Sequence, residues 1–158
     1  TTQMPDSNSM LPDTVLIRCS SCSTLNRVPR SRIAEQPLCG TCKNTLSVPH
    51  KPVDGSAATF ERDLASWPET LLVEFWAKWC GYCRMIEPVV ADIAGWRAGK
   101  LKVLKIDVDA EPSLAQRFQV HATPTFILFR NGVQLGRIDG APKEKIELVQ
   151  WIDRLLPP

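Results

Sequence analysis

The sequence predicts an α/β protein: a mixed central sheet with helices on both sides, preceded by a small module organised by cysteines. Three observations carry this. Short apolar runs alternate with amphipathic stretches from 57 to 158, in the order α-β-α-β-α-β-β-α, and helices on both faces of a sheet are the natural packing for that order. Four cysteines, Cys19, Cys22, Cys39 and Cys42, form two Cys-x-x-Cys pairs with sixteen residues between them. A third pair, Cys80 and Cys83, sits where an apolar run passes into an amphipathic stretch.

The 158 residues have room for one full domain and a small module. Hydrophobic residues make up 44% and charged residues 23%, an ordinary globular balance. The net charge of +2, with both signs interspersed, argues against a nucleic-acid partner. No apolar run approaches the roughly 18 residues of a membrane span. Residues 1–13 are polar, carry Pro5 and Pro12, and lack the order of a secretory signal. We expect a disordered arm there and a cytoplasmic location. Six cysteines paired at two-residue gaps point to metal and redox chemistry in a reducing compartment.

Residues 14–48 form the first module. Val15–Arg18 is strand-like and ends at the first cysteine pair; the second pair is followed by the short apolar run Leu46–Val48. The segment is too short for a stable core of its own. Two such knuckles can bring four thiolates to one tetrahedral Zn²⁺, and Gly40 eases the second turn. Disulfides, an independent redox pair or an iron site are the other uses of the same residues. A zinc ion with four protein ligands has no open position, so its role would be structural. His50 is an additional possible ligand. Arg18, Arg27, Arg30, Arg32 and Lys43 lack aromatic interleaving, which argues against nucleic acid here too. Residues 49–56 hold Pro49, Pro52 and Gly55-Ser56 and read as a linker.

The second module spans 57–158. Thr59 is placed to cap a short helix that turns Phe60, Leu64 and Trp67 inward, with Pro68 just beyond. Leu71–Trp76 is a buried strand interrupted only by Glu74. Ile86, Val89, Val90 and Ile93 recur at helical spacing after Cys83, with Pro88 expected to kink that helix. Leu101–Val108 is the next strand. Asp109 is a candidate N-cap for a helix through Pro112, Leu114 and Phe118. Thr125–Arg130 is a third strand, Asn131-Gly132 a hairpin turn, and Val133–Ile138 the returning strand. Lys143–Leu156 closes the chain as an amphipathic helix with Ile146, Val149, Ile152 and Leu156 inward.

A Cys-x-x-Cys at the mouth of a helix has a chemical logic. The helix N-terminus offers unpaired N–H groups and about half a positive charge, which lower the pKa of a thiolate placed there. Cys80, first in the pair, gains most and reads as the nucleophile; Cys83 is one turn inside and within reach. Glu74 is the oddity. Alternation alone leaves it either buried beneath the cysteines or facing solvent from an edge strand.

The stretch Val73-Glu74-Phe75-Trp76-Ala77-Lys78-Trp79-Cys80-Gly81-Tyr82-Cys83-Arg84-Met85-Ile86-Glu87-Pro88 resembles the active-site segment of the thioredoxin family. Ala122-Thr123-Pro124-Thr125 resembles the family's cis-proline loop, and Phe129-Arg130-Asn131-Gly132 and Asp139-Gly140-Ala141 match two further stretches. The four-cysteine module, with Leu25-Asn26-Arg27-Val28-Pro29 after its first pair, is similar to the zinc-containing thioredoxin-2 branch. The resemblance implies a thioredoxin fold behind a zinc-ribbon-like module. It implies a protein-disulfide reductase in which Cys80 attacks, Cys83 resolves, and Glu74 accepts the Cys83 proton. It implies a cis bond at Thr123-Pro124, with Pro124 facing the cysteines and the Thr123 backbone pairing with an extended client. Trp79, Gly81, Tyr82, Gly140 and Ala141 would form the client-docking surface, with Trp76 packing beneath it and His121 close by. Lys105 matches the family's lysine near the buried acid. The expected cofactor is structural Zn²⁺, with no organic cofactor. The expected partners are disulfide-containing clients and an NADPH-dependent thioredoxin reductase, without nucleic acid or membrane.

One position departs from the family pattern. Gly81-Tyr82 stands between the cysteines where Gly-Pro is usual. Tyr82 keeps a backbone N–H near the sulfurs that proline would lack, which favours the thiolate and a more oxidising couple. A disulfide isomerase or oxidase, and a redox sensor or binding protein directed by the zinc module, are therefore the alternatives to the reductase.

Overall fold

A computed structural model of the chain describes residues 14–66, 68 and 70–156. The expected arm at 1–13 and the inward placement of Trp67 lie outside the described residues. The first module is an antiparallel pair, β1 (Thr14–Arg18) and β2 (Leu25–Pro29), followed by a 3₁₀ turn at Arg30–Glu35. Alternation along β1 sends Val15 and Ile17 into a small core with Val28, Ile33, Leu46, Val48, Cys19 and Cys39.

The second module contains β3 (Val53–Asp54), α1 (Phe60–Ala65), β4 (Thr70–Trp76), α2 (Gly81–Trp96), β5 (Lys102–Asp107), α3 (Pro112–Arg117), β6 (Thr125–Arg130), β7 (Val133–Asp139) and α4 (Lys145–Leu155). The five strands lie in the order β3-β5-β4-β6-β7. β3, β5 and β4 run parallel; β6 and β7 are antiparallel to their neighbours. β4 is central and buried on both faces, which is why its sequence is apolar at nearly every position. Leu71, Val73 and Phe75 face α1 and α3 with Phe60, Leu64 and Leu114. Leu72 faces α2 and α4, with Ile86, Val90, Ile93, Leu148 and Ile152. Period-two alternation then places Glu74 on the α2 side of the sheet.

Several local expectations change. The stretch 49–56, read as a linker, supplies the edge strand β3: Val53 and Asp54 pair with Leu104 and Lys105. It is two residues long, exposed and bounded by Pro52, as edge strands often are. Thr59 does not cap α1; its hydroxyl turns back to Ser56. Asp109 does not cap α3 either. The Asp107 carboxylate accepts from the N–H groups of Asp109 and Ala110, a local turn that delays the helix until Pro112. Ile146 is exposed, and Leu148 takes the inward place beside Val149 and Ile152.

The two modules meet at the C-terminal end of α2. Arg30 Nη1 donates to the Trp96 carbonyl at 2.8 Å and the Gly95 carbonyl at 3.4 Å, a cation on carbonyls at the negative end of the helix. Ala98 joins the small core of the first module. Gly99 has φ +88°, and a Cβ there would stand 1.8 Å from Val15 Cγ1. The contact requires glycine on both counts. The same helix thus starts at the redox pair and ends against the four-cysteine module.

Candidate redox site and four-cysteine metal centre

β4 delivers the chain to the site. After Trp76 it leaves the sheet through Ala77–Trp79, with the Cys80 N–H donating to the Ala77 carbonyl at 3.1 Å. α2 begins at Gly81, so Cys80 occupies the N-cap with extended backbone dihedrals. Its sulfur accepts from the Cys83 N–H at 3.2 Å, the capping geometry that a serine or aspartate oxygen ordinarily supplies. Both cysteines are free and buried. Burial raises the Cys80 thiol, but the Cys83 thiol, Thr123 and the backbone N–H groups of Cys83 and Tyr82 together hold it below its ordinary value. Burial first, and then the adjacent Cys80 sulfur, push the Cys83 thiol up to about 12. The two thiols are thus pushed in opposite directions, Cys80 below its ordinary value and Cys83 above it.

The wall facing Cys80 is the loop before β6. The Thr123-Pro124 peptide is cis, and the Cys80 thiol donates to the Thr123 carbonyl at 3.3 Å. Two contacts fix that loop. Gly140, at φ +89°, donates its N–H to the Pro124 carbonyl at 2.8 Å. Arg137 donates to the Phe118 and Gln119 carbonyls while pairing with Asp139. A groove of about 450 Å³ runs between the active-site turn and this loop, lined by Trp79, Cys80, Gly81, Tyr82, Val120, His121 and Thr123 among others. Trp79 is 67% exposed and Tyr82 65%, so both rings stand open to a client. Trp79 is held by its indole N–H, which donates to Asp109 Oδ2 at 2.9 Å. Gly140 and Ala141 are half-buried and lie outside the groove lining; Gly140 reaches the site through Pro124.

Beneath the cysteines lies a second, smaller cavity of about 90 Å³, lined by Glu74, Trp76, Ala77, Lys78, Cys83, Arg84, Glu87 and Lys105. Glu74 is 1% exposed, and its Oε2 has no hydrogen-bond partner. Burial pushes its carboxyl up to about 7, with Lys105 pulling down and Glu87 pushing up. Lys105 is the register neighbour of Glu74, but its ammonium pairs with Glu87 Oε1 at 3.4 Å and lies 4.4 Å above the Trp76 ring.

In the first module the two knuckles repeat one hydrogen-bond pattern. Cys19 N–H donates to Thr24 O and Ser23 N–H to Cys19 O; Cys39 N–H donates to Asn44 O and Lys43 N–H to Cys39 O. Ser23 and Lys43 share φ of 66°. The four sulfurs lie within 4.8 Å of one another, with Cys19–Cys42 and Cys22–Cys39 both 3.6 Å apart. Tetrahedral thiolates about 2.3 Å from a zinc ion are separated by about 3.8 Å, so the donor set fits that metal. Backbone N–H groups hold Cys19 and Cys39 below the ordinary thiol value, Cys39 at about 6 with help from Asn26. The Asn26 side chain donates to Cys39 Sγ at 3.5 Å and accepts from the Gly40 N–H at 2.9 Å. His50 stays apart, its Nδ1 on the Val48 carbonyl.

Comparison with known proteins places this geometry. The family model described as Thioredoxin matches residues 51–154. The chain belongs to the thioredoxin family. A second family model, described as Thioredoxin 2, N-terminal, matches residues 18–44, the span of the four cysteines. Thioredoxin C-3 of Corynebacterium nephridii is 34% identical over 142 residues, covering 90% of this chain and 96% of that protein. The bifunctional thioredoxin reductase/thioredoxin of Mycobacterium leprae is 41% identical over 105 residues, 66% of this chain and 23% of that one. Among solved structures, a mutant thioredoxin from Halobacterium salinarum NRC-1 superposes with a TM-score of 0.62 at 33% identity, covering 71% of this chain and 98% of that chain. This thioredoxin is accordingly a protein thiol-disulfide oxidoreductase, and the reductase reading is favoured over the isomerase and binding-protein alternatives. Its zinc-ribbon module and four-cysteine cluster point to zinc binding. Among the described residues no helix is long and apolar enough to cross a membrane.

The roles of four side chains escaped the sequence reading, three at the redox site and one, Arg30, at the far end of α2. Asp109 holds Trp79 from thirty residues away, and Arg137 and Arg30 act on carbonyls of distant helices; no local pattern announces such contacts. Glu87 had a signal. It lies four residues after Cys83 on a helix and therefore shares its face.

Proposed function

We propose that Cys80 and Cys83 carry out disulfide reduction in two exchanges, with Glu74 as proton acceptor. The Cys80 thiolate attacks one sulfur of a client disulfide; a Cys80–client S–S bond forms, and the other client sulfur leaves as a thiolate. Cys83 then yields its proton to the Glu74 carboxylate and attacks the Cys80 sulfur. The Cys80–Cys83 bond forms, the second client sulfur leaves, and two electrons have passed to the client. The proton on Glu74 returns to solvent or to the leaving thiolate. The observation that carries this reading is the split between the sulfurs, one held low at a helix N-cap and one held high above a buried carboxyl titrating near 7. That carboxyl is matched to proton transfer at neutral pH.

An extended client would lie in the groove against Trp79, Gly81, Tyr82 and the Thr123 backbone, with Pro124 fixing the Thr123 carbonyl and Gly140 and Ala141 offering further contacts beyond the groove. A reductase returning electrons to the pair is the natural partner, consistent with a relative in which the two activities share one chain. The cytoplasm is the matching location. Cys19, Cys22, Cys39 and Cys42 would hold a structural Zn²⁺ in a module spanning about 14–48, ahead of a thioredoxin domain. The ion would supply folding free energy to a segment with little core of its own.

Trapping tests the roles. Cys83→Ser should accumulate a mixed disulfide through Cys80 when mixed with a disulfide peptide, and Cys80→Ser should accumulate none. A stable adduct mapped to Cys83 in the Cys80→Ser protein would reverse the assignment.

A further inference from the structure

We propose that Glu87 is a positioning residue for Glu74: it holds the Lys105 ammonium at the mouth of the lower cavity and sets its own charge against the buried carboxyl. The inference rests on Glu74 being the proton acceptor. Lys105 and Glu74 are direct neighbours in the β4–β5 register and occupy the same side of the sheet. An ammonium so placed would ordinarily lock a buried carboxylate in its charged form and leave it a poor base. Here the ammonium goes to Glu87 Oε1 at 3.4 Å and to the Trp76 ring at 4.4 Å, and Glu74 Oε2 keeps no partner. The groups facing Glu74 in the cavity are Cys83, Arg84 and Glu87 from α2, Lys105 from β5, Trp76 from its own strand and Lys78 from the turn after it. Its β6 neighbour, Phe126, is apolar.

Glu87 therefore acts twice in one direction. It anchors the cation that would lower the Glu74 carboxyl, and its charge repels the carboxylate; both keep proton affinity near neutrality. Its own side chain is 59% exposed, so the Lys105–Glu87 pair stands where the cavity meets water.

The test uses the full chain with zinc bound, as wild type, Glu87→Gln, Lys105→Met, the double variant and Glu74→Gln. Two quantities are followed against pH: the Glu74 carboxyl resonance, identified by its loss in Glu74→Gln, and the pre-steady-state rate of reduction of a disulfide peptide. Glu87→Gln should move the titration midpoint and the acid limb of the rate profile together to lower pH by about half a unit, a roughly threefold fall in proton affinity. Lys105→Met should move both upward, and the Glu87→Gln shift should shrink in its background. Thermal unfolding of Glu87→Gln should match wild type, since the substitution touches a largely exposed side chain. An unmoved Glu74 midpoint in Glu87→Gln, with the acid limb altered in Glu74→Gln, overturns the role of Glu87 and leaves that of Glu74 intact. Ionisation of Cys80 gives every variant an acid limb of its own, so an acid limb in Glu74→Gln that matches wild type in midpoint and depth overturns the acceptor reading and the positioning role with it.

Discussion

Replacing Glu74 with glutamine should make this thioredoxin more stable in alkaline than in acid solution relative to wild type. In the fold the carboxyl is buried at 1% exposure with one oxygen unpartnered, and burial raises it to about 7. In the unfolded chain it returns to about 4.3. Between these values the native state binds the proton and the unfolded state does not, so wild-type stability falls as pH rises through that window and levels off above it. A shift of about two and a half units at about 1.4 kcal/mol each corresponds to about 3.5 kcal/mol over the whole titration. The assay is urea unfolding of the reduced, zinc-saturated protein from pH 4 to pH 8.5, followed by tryptophan fluorescence. The difference between Glu74→Gln and wild type cancels every other titrating group. It should grow by about 3 kcal/mol in favour of the variant between pH 4.5 and 7 and be flat on either side. A difference that is constant with pH would refute the reasoning, because it would mean that Glu74 titrates alike in both states.

Tyr82→Pro removes one N–H from the Cys80 sulfur and is tolerated in the first helical turn, so it should raise the Cys80 thiol and make the couple more reducing by about 30 mV, read by equilibration with glutathione. Asn26→Ala should weaken zinc retention by about 10-fold or more in chelator competition, since Asn26 braces both Cys39 and Gly40. Gly99→Ala should destabilise the contact between modules by about 1–3 kcal/mol, seen as faster proteolysis near 49–52, and Val15→Ala should recover part of the loss by removing the clashing methyl.

The strands and helices that build the sheet were legible because their signals are local. Leu71–Phe75 is apolar on both faces except at Glu74 because β4 is the central strand, and Asn131-Gly132 sits in a hairpin with positive φ at both residues. β3 was not legible: two residues between Pro52 and Gly55 carry no periodicity, and their pairing with β5 is decided by the sheet edge. The Asp109 cap failed because Asp107, two residues earlier, claimed the local N–H groups first. At the site, the cysteine spacing and the odd glutamate were visible. Alternation alone left Glu74 open, since a central strand and an edge strand can share it; the family resemblance pointed to the buried acid, and Glu74 is 1% exposed. The Lys105–Glu87 pair and the grip of Arg137 on the loop before β6 join residues far apart in sequence, and only the packed sheet brings them together.

One helix links the two functional ends of the molecule. α2 lends its N-terminus to Cys80 and its C-terminal carbonyls to Arg30 of the four-cysteine module, so each end meets the charge its dipole favours. The most direct measurement of the central claim is insulin-disulfide reduction driven by NADPH and thioredoxin reductase. Wild type should turn over, Cys80→Ser and Cys83→Ser should not, and Cys39→Ser should retain turnover wherever its thioredoxin domain remains folded. Sustained turnover by Cys80→Ser would contradict the account.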